Sequence, residues 1–220
     1  LTWQPLALSL QVASVATLLS AVLGLALGAL LSNRRVPGRD LFDVLITTPM
    51  VLPPTVLGYY VLVGIGRRSA FGQLFESVTG GPIVFTVTGA IVAATIGSLP
   101  IVAKSARAAL ETVDPVYLGA AQTLGASASR SFFTVALPLA SRGILAGIML
   151  AFARALGDFG VTLMIAGDIP GETQTASLAI YDAIQGNREP EALGMILALT
   201  LFAVSTLYLV NRLTARRDVH

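Results

Sequence analysis

Arg154 and Asp158 are the residues of this chain best suited to act on a charged ligand. They stand four apart inside a long apolar stretch, Phe152-Ala153-Arg154-Ala155-Leu156-Gly157-Asp158-Phe159-Gly160. At that spacing two side chains share one helix face. A charge within a membrane span costs at least about 2.5–3.5 kcal/mol on insertion scales, so such residues normally face a bundle interior or a water path. Two readings stay open: a structural ion pair between helices, or a pore lining in which Arg154 lowers the barrier for an anion. Gly157 and Gly160 would let another helix or a substrate come close. Bond-making chemistry is poorly served by comparison. The chain has no cysteine, and its one histidine is His220. That excludes disulfides and thiolate metal sites, and it removes most zinc sites and the Ser-His and Cys-His nucleophile pairs. No metal site is expected. Asp158 has no second carboxylate near it in the membrane, which an intramembrane acid–base enzyme would need. No GxxxxGK[ST] phosphate loop occurs, so the chain does not bind ATP by that device. No basic stripe with interleaved aromatics suggests nucleic acid.

A second polar constellation is Thr47-Thr48-Pro49-Met50-Val51-Leu52-Pro53-Pro54-Thr55. Proline removes a backbone donor and kinks a helix. Inside a membrane, a broken helix is tolerated where protein or a water cavity covers it, and transporters place such breaks at midplane sites. Thr47, Thr48 and Thr55 would offer hydroxyls to a passing oxyanion. The alternative is a bent, packed helix. Thr47, Thr48, Pro53 and Pro54 join Arg154 and Asp158 as the candidate translocation path.

The elements that must position these residues are membrane spans. Of 220 residues, 55% are hydrophobic and 12% charged, against about 25% charged in soluble domains. A span needs about 20 apolar residues. Five runs qualify: Leu6 to Leu31, Val44 to Gly66, Pro82 to Ala103, roughly Gly143 to Gly167, and Ala192 to Val210. Only helices satisfy their own backbone in lipid, so the expectation is an all-α polytopic bundle forming a single domain over 1–220. Leu6 to Leu31 lacks a basic leading segment and reads as a span, not a cleaved signal. Five spans put the termini on opposite sides. With the N-terminus outside, the inner loops hold Arg34, Arg35, Arg39, Lys104, Arg107, Arg130, Arg142, Arg212, Arg216 and Arg217. The outer loops hold Arg67, Arg68 and Arg188. That is the distribution the positive-inside rule requires. On the outside, Ile169-Pro170-Gly171-Glu172 reads as a turn. Thr173 to Gln185 reads as a short amphipathic helix with Leu178, Tyr181 and Ile184 or Ile180 on its apolar side. Gly24 and Gly28 form a small-xxx-small pair suited to packing or to a dimer seam. Arg67-Arg68 reads as a solvated pair near headgroups, or as a contact for an anion or an acidic partner.

Between the third and fourth spans lies a long polar segment, about 104–138, expected in the cytoplasm. Asp114-Pro115 reads as N-cap and first helical residue. A short helix to about Leu124 would end on a left-handed Gly125, and Ser127 or Ser129 would cap the helix that feeds the fourth span. The product is a helix–glycine–helix elbow. Its middle, Gly119, Ala120 and Ala121, is shallow enough for another protein to approach closely.

The spacing of this segment resembles the loop by which bacterial ABC-importer permeases dock on their ATPase. Two alanines, three residues and Gly125 are followed after nine residues by Val135-Ala136-Leu137-Pro138. The resemblance marks Gly119, Ala120, Ala121, Leu124, Gly125, Leu137 and Pro138 as ATPase-coupling residues. The family usually has Glu where this chain has Gly119, so no role of that carboxylate carries over. The whole chain is similar to molybdate importer permeases, through Pro49-Met50-Val51-Leu52-Pro53-Pro54-Thr55-Val56-Leu57-Gly58-Tyr59, Gly64-Ile65-Gly66-Arg67-Arg68 and Phe152 to Phe159. Ile169-Pro170-Gly171-Glu172-Thr173-Gln174-Thr175 favours molybdate or tungstate over the related sulfate importers. The resemblance implies a type I importer permease in the bacterial inner membrane that performs no catalysis itself. It implies a second copy of the chain, two cytoplasmic ATPase subunits that use ATP and Mg, and a periplasmic molybdate-binding protein. It implies no cofactor on this chain. Some members carry an extra N-terminal span. A sulfate or thiosulfate permease and an anion channel are the alternatives, and a channel leaves the elbow without a purpose.

Overall fold

The computed structural model describes residues 3–33 and 36–214. Arg34, Arg35, Arg216, Arg217 and His220 lie outside the described residues. The chain folds as α1 (Gln4–Ser32), α2 (Arg39–Val51), α3 (Pro54–Ile65), α4 (Ala70–Thr79), α5 (Val87–Glu111), α6 (Pro115–Thr123), α7 (Ala128–Ser131), a π-helical turn (Phe132–Ala136), α8 (Leu137–Leu156), α9 (Gly160–Ala166), α10 (Ala176–Gln185) and α11 (Glu189–Thr214). Among the described residues every regular element is helical. Four helical stretches are long and apolar enough to cross a membrane: α1, α5, Ala128–Leu156 and α11. The pair α2 and α3, bent by 116° at its break, is the fifth.

Small residues set the helix directions. Ser20 hydrogen-bonds Ser98 at 2.8 Å. A Cβ on Gly24 would stand 2.7 Å from that of Val102, and one on Gly28 would stand 2.7 Å from the Ala103 carbonyl oxygen. α1 and α5 therefore run parallel, with contacts so close that only glycine fits. Gly24 and Gly28 are packing residues within the chain. α8 runs antiparallel to α5, with Gly143 against Ala109 and Gly147 against Ser105. Leu6 near the start of α1 packs on the same cluster as Met195 and Leu199 near the start of α11, so the two helices start at the same end. α2 begins beside the end of α5, and α3 finishes against Val84 and Ile165 near the start of α5. The bundle thus has an elbow end and a far end, and successive spans alternate between them.

Two spans differ from the sequence expectation. The fourth does not continue to Gly167. α8 stops at Leu156, the chain turns through Gly157 to Phe159, and the short α9 follows. Asp158 therefore sits past the helix end and shares no helix face with Arg154. The third continues beyond Ala103 as far as Glu111, which carries its last turns out to the elbow. At the entry to α8, Pro138 has no N–H for the Thr134 carbonyl. The ladder widens just before it, with the Leu137 N–H reaching back to the Phe132 carbonyl in a π turn.

The turn at Ile169 to Glu172 forms as expected, closed by the Glu172 and Thr173 N–H groups on the Ile169 carbonyl at 3.1 and 3.0 Å. α10 buries Leu178 but also Ala176, Ala179 and Ala183, while Tyr181 and Ile184 are exposed. Of the alternatives Ile184 and Ile180, Ile180 is the one that packs inward, with Ala176, Ala179 and Met195. The expectation was wrong for Tyr181 because α10 lies close against α1 and α11, where alanine fits and a large side chain does not. α4 has no counterpart in the sequence reading. Ser69 caps it by accepting from the Gly72 N–H at 2.8 Å, and Gly80 ends it in the left-handed region.

Candidate functional site

The elbow is built by local chemistry alone. Asp114 Oδ1 accepts from the Val116 N–H at 2.9 Å, with Pro115 at the first helical position. At the other end of α6, the Gly125 N–H donates to Gln122 and the Ala126 N–H to Ala121, both at 3.0 Å. This double closure requires a left-handed residue just past the helix, and Gly125 supplies it at φ +89. Ser127 then accepts from the Arg130 N–H at 3.2 Å and starts α7.

α6 is fully capped and yet buries no residue. Leu118 fastens it to a cluster containing Val113, Phe132 and Ala136, and Ala121, one turn on, is half-buried on that inward side. The outward side carries Val116, Tyr117, Ala120 and Leu124, the last 89% exposed. Gly119 is also open, with nothing within 4 Å of an added Cβ. Gly125 and Pro138 are exposed, whereas Leu137 is half-buried in the Leu118 cluster. Five of the seven residues singled out in the sequence, Gly119, Ala120, Leu124, Gly125 and Pro138, thus lie on the accessible side.

The second site is a joint. Arg154 Nη1 donates to Asp158 Oδ1 at 2.8 Å. Asp158 Oδ2 accepts from the Thr162 N–H at 3.0 Å and from its hydroxyl at 2.7 Å. The Ser177 hydroxyl donates to the Asp158 carbonyl at 2.8 Å. Asp158 is buried, and it ties the end of α8 to α9 and α10. Its carboxylate is satisfied on both oxygens, as a buried charge must be. Arg154 is different: its side chain is 38% exposed. It lines a cavity of about 220 Å³ together with Pro49, Leu52, Pro54, Gly97 and Val161. A Cβ on Gly97 would lie 3.5 Å from the guanidinium, and one on Gly160 would lie 2.7 Å from Pro54 Cβ. The structure therefore brings the arginine and the proline break to one cavity, a proximity that sequence spacing could not reveal. Pro53 is exposed at the bend. Thr47 and Thr48 do not extend the site as donors. Their hydroxyls donate to the Asp43 and Val44 carbonyls of their own helix, at 2.6 and 2.7 Å.

A charge network at the elbow end was not foreseen. Asp43 on α2 pairs with Lys104 and, at 3.1 Å, with Arg107. Arg107 also holds Glu111 at 3.0 Å, and Arg39 reaches Glu111 at 3.5 Å. α2 buries no residue, so these pairs are its main attachment to α5. Arg107 and Glu111 stand four apart on α5; the other pairs join α2 to α5.

The model for the binding-protein-dependent transport system inner membrane component family matches residues 20–218. The molybdenum transport system permease protein ModB of Escherichia coli (strain K12) is 42% identical over 93% of this chain and 90% of its own length. The sulfate transport system permease protein CysT of Salmonella typhimurium (strain LT2) is 34% identical over 94% of this chain and 75% of its own. Among solved structures, the inward-facing MetNI methionine ABC transporter superposes with a TM-score of 0.70 at 18% identity, covering 96% of this chain and 95% of that one. That likeness speaks for the fold.

Proposed function

The chain belongs to the family of binding-protein-dependent transport system inner membrane components and is an ABC importer permease; we propose that its cargo is molybdate and that separate ATPase subunits drive it through the elbow. The observation that carries the coupling is α6 itself, a helix capped at both ends with no buried residue. Gly119, Ala120 and Leu124, which the family resemblance marks for docking, are exposed on it, while Ala121 is half-buried. Molybdate is favoured because a molybdenum permease is more similar than a sulfate permease, at 42% against 34% identity.

In this reading the elbow end faces the cytoplasm and the N-terminus lies outside. Arg39, Lys104, Arg107, Arg130, Arg142 and Arg212 then lie inside, and Arg67, Arg68 and Arg188 outside, as membrane insertion favours. Two copies of the chain assemble with two ATPases, which hold ATP and Mg, and a periplasmic molybdate-binding protein delivers the anion. ATPase closure draws the two elbows together. The pull reaches the bundle through the rigid α6–α7 turn into α8, and through the end of α5 to α2 by way of its ion pairs. The broken α2–α3 span and the α8–α9 joint bound the cavity that opens and closes. Arg154, fixed by Asp158 but open to that cavity, supplies the positive charge that lowers an anion's barrier. The permease does no covalent chemistry; it has two packings whose balance the motor shifts.

The test is ATP hydrolysis in liposomes holding permease, ATPase and binding protein. Molybdate should stimulate it. Equal stimulation by sulfate through the same binding protein would overturn the substrate, and hydrolysis indifferent to the permease would overturn the coupling.

A further inference from the structure

At the far end, the turn from α3 into α4 presents Arg67 and Arg68 on a rigid support. The Ser69 N–H donates to the Gly66 carbonyl at 2.8 Å. Gly72 lies so close to this turn that a Cβ there would stand 2.7 Å from the Ile65 carbonyl oxygen. Opposite, Phe85 is held at φ +58, a strained conformation for an aromatic residue, by its N–H bond to the Ile165 carbonyl at 2.8 Å. Between these two walls is a cavity of about 830 Å³, lined by Leu62, Val63, Arg67, Arg68, Ser69 and Phe85. That is within the usual range of ligand pockets, about 300–1,000 Å³.

The charge at this cavity is poorly neutralised. Among the described residues the ion-pair partner of Arg67 is Glu76, at 3.7 Å and exposed, a weak pair in water. Arg68 has no ion pair among the described residues. Arg188, at the same end, is held by Asp182 at 2.6 Å and by Glu191 at 3.1 Å. Two exposed guanidinium forks beside an apolar wall offer several donors to the oxygens of one tetrahedral dianion. α3 has 12 residues and is about 18 Å long at 1.5 Å per residue. It runs from this cavity to the Pro54 rim of the Arg154 cavity.

We propose that Arg67 and Arg68 form an outer capture site for the transported tetrahedral oxyanion dianion, in series with Arg154. The proposal rests on the import reading above, which makes this the end where the anion arrives. The site accepts the dianion as the binding protein releases it and shortens the step to the deeper arginine.

The experiment uses the assembled permease–ATPase complex in detergent and measures, residue by residue, how fast phenylglyoxal modifies arginine. Molybdate at millimolar concentration should slow modification of Arg67 and Arg68 severalfold, relative to chloride at matched ionic strength. It should leave Arg188 unchanged. If the rate does not change, or only phosphatidylglycerol slows it, the site is empty or holds a lipid headgroup and the proposal is overturned. In liposomes with the binding protein, the Arg67→Gln/Arg68→Gln variant should assemble normally and keep basal ATP hydrolysis. Its molybdate uptake at limiting substrate should fall on the order of tenfold, the scale of one lost charge-assisted contact. Uptake equal to wild type would sink the capture site while leaving the importer reading intact. A wild-type complex that molybdate does not stimulate would sink both.

Discussion

α6 and the Arg154–Asp158 joint are both polar interruptions in a hydrophobic chain, yet they are held in opposite ways. The joint is completed from within. Asp158 takes donors from Arg154 and Thr162 on its carboxylate and from Ser177 on its carbonyl, and glycines let α5 and α3 close around it. α6 is capped at both ends but has no buried residue, and Leu124 stands 89% exposed. The joint is internal architecture, with one arginine turned toward a cavity. α6 is a capped surface that the rest of the chain leaves uncovered, and in the proposed reading the ATPase covers it. Substitutions at the joint should therefore damage the permease itself, and substitutions on α6 should damage only its conversation with a partner.

The largest effect is expected at the carboxylate. Asp158→Ala leaves the buried Thr162 N–H and hydroxyl without their acceptor and the partly exposed Arg154 without its counter-charge, and should cost on the order of 3 kcal/mol, read as thermal unfolding of the purified permease. A variant as stable as wild type would dissolve the contrast. Arg154→Gln should cost less, about 1–3 kcal/mol, because it leaves one buried oxygen underpaired. The complex should still assemble while uptake slows, and unchanged uptake would leave the arginine a purely structural role. Gly125→Pro forces φ from +89 to the negative range and removes the donor to Gln122. The cost should exceed about 1 kcal/mol and stay local to the turn, with hydrolysis uncoupled from uptake. Leu124→Asp should change stability by less than about 0.5 kcal/mol and still abolish ATPase binding.

The elbow was legible in the sequence almost to the residue. Its signals, Asp114-Pro115, Gly125 and Ser127, act over three or four positions and do not depend on tertiary context. The spans were legible because lipid leaves the backbone few options. What escaped depends on distance or on shape. The stop at Gly157 was hidden by an apolar run that continues to Gly167, since composition does not register a helix break. Asp43 meets Lys104 from 61 positions away, and no local pattern announces that. On α10 the sequence left Ile184 and Ile180 as alternatives beside Tyr181; Ile180 packs inward, Tyr181 and Ile184 do not, and close packing on α1 and α11 selected alanines. The sequence grouped Arg154 and Asp158 with Thr47, Thr48, Pro53 and Pro54 as one candidate path, but by residue type and not by distance. Only the fold shows that Pro54 and Arg154 border one cavity.

Binding of the purified ATPase to the permease, measured for wild type and for Leu124→Asp with unfolding temperature followed in parallel, tests the central claim most directly. The account requires tight association for wild type and a loss of at least about tenfold for the variant, equivalent to about 1.4 kcal/mol, at unchanged stability. Equal binding by both proteins would mean that the motor grips the permease somewhere else.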